Sequence, residues 1–281
     1  MKTLCFASLI FVFYLNAHKA FSQVNIFNDV NPFIGTNAHG HTYPGATLPF
    51  GMVQLSPDTR LDGWDGCSGY HYTDSVIYGF SHTHLNGTGC SDYGDVLLMP
   101  FKGKGSLLPS DYASPFHHAK EKAIPGYYSV LLKKDSVLCE LTTTSRTGMH
   151  KYTFGKTESP AIILDLTHRD KLLQSWVEVS PSGEVIGLRR SAAWAKDQKL
   201  FFCIHFNTKI VKTEIYKNNQ LQTGTKIAGD NIKIIFRFQP VVNPILVKVG
   251  ISGVDEAGAQ NNLNTERSEE HTSELQSPNT I

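Results

Sequence analysis

VNPFIGTNAHGHTYPGATLPFGMVQLSPDTRLDGWDGCSGYHYTDSVIYGFSHTHLNGTGCSDYGDVLLMP, residues Val30–Pro100, is the stretch on which the reading of this chain turns. It is dense in Gly, His, Asp, Asn, Trp and Tyr and poor in Lys and Glu. Strands and turns alone need far fewer groups able to grip a polar ligand, and loops carried on a rigid scaffold are where binding residues gather. Three clusters stand out. In His39-Gly40-His41 with Tyr43 and Pro44, glycines let the backbone turn tightly around polar side chains. In Asp62-Gly63-Trp64-Asp65-Gly66-Cys67, Trp64 offers a flat apolar face for sugar C–H groups, and Asp62 or Asp65 can accept charge-assisted bonds from hydroxyls. In His82-Thr83-His84-Leu85-Asn86, an extended backbone places His82, His84 and Asn86 on one side.

Each cluster has a plainer alternative, and the sequence leaves these open. His82 and His84 suit a metal pair, a hydrogen-bonded polar core or a ligand contact. Trp64 is either a ligand platform or a core residue, whereas Trp176 and Trp194 have less polar neighbours and read as structural. Asp92 and Asp95 fit ordinary turn roles.

Outward from this stretch, short runs rich in Val, Ile, Phe, Tyr and Thr recur between turn residues. They are Met52–Leu55, Asp95–Phe101, Tyr127–Leu132, Val137–Thr143, Met149–Phe154, Ala161–Leu166, Trp176–Val179, Val185–Arg189, Leu200–Phe206, Ile232–Phe238 and Ile245–Ile251. In Ile232–Phe238, Lys233 and Arg237 are expected to face water. Many short strands with regular turns predict an all-β, two-sheet sandwich. A helix is expected only over Val254–Glu266, capped by Ser252.

The run NPFIGT (Asn31–Thr36), GHTYPGA (Gly40–Ala46), PFGMVQLSPDT (Pro49–Thr59), CSGYHY (Cys67–Tyr72) and GFSHTHLNGTG (Gly79–Gly89) resembles the N-terminal domain of glycoside hydrolase family 92, the calcium-dependent exo-α-mannosidases. Weaker echoes are PGYYSV (Pro125–Val130), RTGMHKYTF (Arg146–Phe154), AIILDL (Ala161–Leu166), WAKDQ (Trp194–Gln198) and VKVGIS (Val247–Ser252). The resemblance implies a large β-sandwich of the galactose-mutarotase-like, supersandwich type, with a short C-terminal helix leading toward an (α/α)6 barrel absent from this chain. It implies removal of terminal α-mannose from N-glycans or mannans with inversion. The catalytic acid and base, and most calcium ligands, then belong to that barrel, so neither catalytic nor metal residues are expected here. Trp64, Asp65, Cys67, His82, His84 and Asn86 are expected to contact substrate or order the active-site mouth. A freestanding carbohydrate-binding module is the competing expectation, and a domain that only supports a barrel is a third.

Residues 1–22 read as a secretory signal: Lys2 begins it, Leu4–Ala17 forms an apolar core, and Ala20-Phe21-Ser22 offers a cleavage site. The mature protein is then expected from Gln23, in the periplasm, at the cell surface or secreted. A membrane anchor fits less well, because the apolar run is short for a bilayer. Residues 23–253 are expected to form the sandwich and 254–266 the start of a helical linker. RSEEHTSELQS (Arg267–Ser277) reads as a translated sequencing adapter, so 267–281 is expected to be non-native. A net charge of +1 over 281 residues gives no sign of a nucleic-acid partner. Beyond Cys5, four cysteines remain; Cys67 and Cys90 both sit in the motif-rich stretch and are candidates to pair, with connectivity not fixed by the sequence. No CxxC suggests a structural zinc site. Carboxylates abound, at Asp58, Asp62, Asp65, Asp74, Asp92, Asp95 and Asp165, but no pair declares itself the acid and base that an inverting glycosidase holds roughly 6.5–9.5 Å apart. No G-x-S-x-G nucleophile motif is present.

Overall fold

Short, strand-forming segments separated by glycine, proline and asparagine turns leave the chain one economical way to bury its apolar faces, which is to stack two sheets. The computed structural model describes residues 29–156, 159–240 and 243–266; the signal reading of residues 1–22 and the adapter reading of 267–281 lie outside them. Among the described residues the body beginning at Asn31 is built on two large sheets of antiparallel strands. The first runs, edge to edge, through Ala46–Thr47, Gln54–Asp58, Gly79–Ser81, Leu97–Lys102, Pro160–Asp165, Ile232–Phe238, Ile210–Lys217 and Gln220–Leu221. The second runs through Lys226–Gly229, Lys171–Val179, Val185–Ala192, Gln198–Phe206, Ile245–Ser252, Thr147–Phe154, Val137–Thr143, Tyr127–Leu132 and Glu121–Ile124. Residues of both sheets, among them Leu98, Ile163, Phe236, Val130, Leu141, Phe202 and Val249, form one continuous core.

Strand bounds follow the sequence pattern closely where apolar residues dominate. Tyr127–Leu132, Val137–Thr143 and Ile232–Phe238 have the expected limits. Pro160–Asp165 is buried at every position, because it sits mid-sheet between Leu97–Lys102 and Ile232–Phe238 and is covered on both faces.

That double coverage overturns one expectation. Lys233 does not face water: it is buried, with Nζ 3.0 Å from Asp165 Oδ2 and donating to the Leu107 carbonyl at 2.7 Å. Burial would raise the Asp165 carboxyl, but Lys233 and bonds from Thr167 hold it below its ordinary value. Arg237 is likewise engaged, by Glu214 Oε2 at 2.6 Å and the Gly103 carbonyl at 2.9 Å.

The helix forms over Glu256–Thr265, and its cap is Asp255, not Ser252. Asp255 Oδ1 accepts from Gly258 N at 2.6 Å, while Ser252 Oγ accepts from Val254 N at 3.1 Å one turn too early. The helix packs against the second sheet through Ala259 and Leu263 over Cys203. Gly250 permits this approach, since a Cβ there would stand 2.4 Å from the Ala259 carbonyl oxygen. Glu266 then locks the helix end by accepting from Arg146 N (2.8 Å), Arg146 Nε (2.7 Å) and Thr144 Oγ1. Residues 256–266 are therefore bound to the sandwich along their length.

Cys67, Cys90, Cys139 and Cys203 all carry free thiols, so the Cys67–Cys90 pairing does not form. Trp176 is half-buried, with the Lys226 ammonium 4.8 Å above its ring. Trp194, read as structural, is instead 76% exposed.

Candidate functional site

A buried carboxylate organises the region that the sequence singled out. Asp58 ends the strand Gln54–Asp58 and has no solvent contact. Ser81 Oγ donates to its Oδ2 at 2.5 Å, His84 Nε2 lies 3.1 Å from Oδ1, and His168 Nε2 lies 3.0 Å from Oδ2. Arg169 Nη1 stands 3.8 Å from Oδ1. Burial alone would raise the Asp58 carboxyl, yet His84 and His168 hold it well below the usual carboxylate range. A buried anion of this kind is tolerated only because cationic and hydroxyl donors surround it. Gly69 makes room for it: its φ is +82°, and a Cβ there would fall 2.1 Å from Asp58 Oδ1.

From this hub Arg169 reaches outward. Its Nη2 donates to the carbonyls of Gly66 (2.9 Å) and Cys67 (3.2 Å), which fixes the turn Trp64–Gly66 from beneath. Gly63, at φ +77°, lets the chain enter that turn. From above, His39 Nδ1 lies 2.6 Å from Asp65 Oδ1, and this bond, more than the partial desolvation that opposes it, lowers the Asp65 carboxyl. The His41 ring meets the Trp64 ring edge-on at 4.8 Å between centroids. The outer edge of the Trp64 ring lies against Gly89, where a Cβ would stand 2.1 Å from the ring. Trp64 is thus 61% exposed yet braced on two sides.

Beside it opens a cleft of about 490 Å³, lined by Asp62, Trp64, Cys67, Ser91, Arg169 and Asp170 among others. Ser91 Oγ donates to Asp170 Oδ1 at 3.2 Å, while Asp170 Oδ2 is buried without a partner among the described residues. Burial pushes the Asp170 carboxyl up to about 6 against the pull of Arg189 and Arg169. A flat indole, the Ser91 hydroxyl and an exposed Asp62 form the mixed apolar and polar lining that suits a polyol.

The sequence-predicted residues separate into two groups. Trp64 and Asp65 lie together on the turn at the cleft, and Asn86 is exposed on the following loop. Cys67 borders the cleft from a buried position, and burial raises its thiol. His82 and His84 do not reach the surface. The strand ends at Ser81, so the two-residue alternation that would set both histidines on one outward face does not extend to them. His84 Nδ1 donates to the Gln54 carbonyl at 2.8 Å and its other nitrogen faces Asp58. His82 Nδ1 donates to the Val96 carbonyl at 2.7 Å, and its Nε2 meets His150 Nε2 at 3.0 Å. His84 is thus a positioning residue for the hub under the Trp64 turn, and His82 belongs to a buried chain with His150.

Arg169, Asp170, Ser91 and Gly89 were missed as site residues. The available signal was Thr167-His168-Arg169-Asp170, a polar run directly after a buried apolar strand. Among the described residues no group of three or more His, Cys, Asp or Glu side chains is placed to hold a metal ion.

Residues 29–252 match the family profile described as the glycosyl hydrolase family 92 N-terminal domain. A protein described as an uncharacterized secreted glycosidase from Arthroderma benhamiae is 27% identical, over 86% of this chain and 35% of its own length. A family GH92 α-mannosidase from Bacteroides thetaiotaomicron, solved in complex with mannoimidazole, is 31% identical with a TM-score of 0.82, over 85% of this chain and 34% of that one. A family GH92 inverting mannosidase from the same organism gives 26% identity and a TM-score of 0.78, over 89% of this chain and 34% of that one. The chain spans about a third of the length of these relatives.

Proposed function

This chain belongs to glycosyl hydrolase family 92 by its N-terminal domain, and we propose that it is the sugar-contacting part of a secreted α-mannosidase that removes terminal α-linked mannose from N-glycans or mannans with inversion. The observation that carries this reading is the Trp64 turn: an exposed indole, braced by His41 and Gly89, at the rim of a cleft whose polar groups include Asp62, Ser91 and Asp170. Holding such a large ring out of the core, on a turn pinned by Arg169, is costly unless something stacks on it. Likenesses support the choice of sugar, since one similar solved structure is an α-mannosidase holding mannoimidazole and another is an inverting mannosidase.

In this reading Trp64 stacks on a mannose ring, and Asp65, held by His39, keeps the turn in place. Asp62 accepts hydroxyl bonds at the cleft wall. Asp58, Asp95 and Asp165 are committed to internal partners, and in this reading the acid and base of hydrolysis belong to a barrel domain outside this chain. Calcium, where the reaction uses it, would draw ligands from that domain too. Export fits the relative described as secreted.

The test is calorimetric or NMR titration of the chain with methyl α-mannoside, for the unmodified protein and Trp64→Ala. Saturable binding weakened at least about tenfold by the substitution, as for a stacked aromatic contact, supports the reading. Equal affinity in both proteins would move the sugar site elsewhere.

A further inference from the structure

Trp194 is a second exposed tryptophan, and the structure ties it to the same cleft. It sits at the tip of the turn joining Val185–Ala192 to Gln198–Phe206 and is 76% exposed, with nothing among the described residues stacked on its ring. The turn beneath it is held firmly. Ala193 N donates to the Ala195 carbonyl at 2.9 Å, Lys196 Nζ to the Ala193 carbonyl at 3.2 Å, and Arg190 clasps Asp197 through two bonds of 2.6 and 2.8 Å. The turn is also anchored to the cleft wall: Ala195 N and Gln198 Nε2 both donate to Asp92 Oδ1, at 2.8 and 2.9 Å. Asp92 follows Ser91, which lines the cleft and bonds Asp170. Gly89, on which Trp64 rests, is three residues before Asp92, a reach of at most roughly 11 Å along the chain.

We propose that Trp194 is a second aromatic platform, one that stacks on mannose units beyond the one held at Trp64 and so favours longer oligosaccharides over monosaccharides. This rests on the sugar reading of the Trp64 cleft. A single preorganised indole on a pinned turn keeps the ordering cost of binding low, and its flat face suits the apolar face of a pyranose. The surroundings favour sugar over a protein partner. Trp194 is flanked by Arg190, Lys196 and Asp197, a polar neighbourhood, whereas the buried centre of a protein interface is depleted in charge. The exposed apolar residues suited to a protein contact lie elsewhere, at Phe50, Met52 and Val254.

The indole N–H signals of the chain, assigned with Trp64→Phe and Trp194→Phe variants, provide the test. The probes are methyl α-mannoside and a linear α-mannotetraose. The expected result is that the Trp64 signal moves with both probes while the Trp194 signal moves only with the tetraose. Trp194→Ala should then weaken tetraose binding at least about fivefold and leave methyl α-mannoside binding unchanged. A Trp194 signal unmoved by saturating tetraose, while Trp64 responds, overturns the platform and leaves the cleft reading intact. Silence of both signals with both probes overturns the two together. Loss of stability of the chain on Trp194→Ala, with no change in tetraose affinity, would assign the ring to packing and also overturn the proposal.

Discussion

Lowering the pH from 7 to 5 should destabilise this domain through a buried chain of three side chains. Tyr152 O–H faces His150 Nδ1 at 2.8 Å, His150 Nε2 faces His82 Nε2 at 3.0 Å, and His82 Nδ1 faces the Val96 carbonyl at 2.7 Å. A carbonyl can only accept, so His82 Nδ1 carries the hydrogen and its Nε2 must accept from His150. His150 Nδ1 then accepts from Tyr152. The chain closes only when both imidazoles are neutral, since an added proton would set two donors against each other. Burial lowers His82 to about 4, and burial together with His82 holds His150 well below the ordinary histidine range.

The unfolded chain takes up a proton at each histidine near pH 6.5, whereas the folded chain refuses one at His82 until about pH 4. The His82 contribution to stability is therefore complete above about pH 6.5 and falls as pH drops through that window. The gap between 6.5 and about 4 corresponds to about 3 kcal/mol in all, of which about 2 kcal/mol is lost by pH 5. Asp58 acts in a lower window: its carboxyl is depressed, so its contribution is present above its unfolded value of 3.8 and is lost only below it. Urea unfolding at pH 7 and pH 5, for the unmodified chain and His82→Gln, isolates the effect, because glutamine keeps a donor and an acceptor but does not titrate. The unmodified chain should lose about 2 kcal/mol more than the variant across that interval. Equal losses in the two proteins would refute the reasoning.

Gly69→Ala should cost at least about 3 kcal/mol in urea unfolding, because it combines positive φ with a methyl driven into Asp58 Oδ1. Gly89→Ala should cost at most about 1 kcal/mol, since the exposed Trp64 ring can swing away from the new methyl. The Trp64 indole N–H signal should nevertheless shift, and sugar affinity should fall. Glu266→Gln should lower the unfolding free energy by about 1–2 kcal/mol, through weaker bonds from Thr144 and Arg146 at the helix end.

The strands were legible where long apolar runs outnumbered charges, as in Val137–Thr143, but the run expected at Met52–Leu55 forms its strand over Gln54–Asp58. The strand Ile210–Lys217 was not legible, since Lys212, Glu214 and Lys217 mask its pattern at the side of the first sheet. Lys233 was misplaced for a related reason. Alternation assumes one wet face, and the segment through Leu107 covers the face that should have been wet. At the site, residue type was readable but direction was not. Trp64 reaches the cleft, with Asp65 beside it on the same turn, because glycines at 63, 66 and 69 let the backbone turn there. His82 and His84 share the same motif-rich stretch but turn inward, and the ion that draws His84 inward, Asp58, is 26 residues away in sequence. Arg169 lies 103 residues from the Gly66 carbonyl it holds, a link no local pattern contains.

That long-range link also favours the proposed reading, a domain that touches substrate, over one that merely supports a neighbour. If the cluster around Asp58 served stability alone, an apolar core of similar volume would do as well or better, because buried ion pairs rarely exceed their desolvation cost. Its position gives it a different use. Asp58 stands 3.8 Å from Arg169 Nη1 on one side, and Arg169 Nη2 donates to the carbonyls of Gly66 and Cys67 at the Trp64 turn. The turn cannot relax without leaving a buried guanidinium unsatisfied, which costs far more than the turn itself. Rigidity of that kind matters little for a surface loop with no task, and a great deal for a stacking platform that must meet a sugar ring at a fixed angle. The same logic extends to Trp194, whose turn is pinned through Asp92 to the other wall of the cleft.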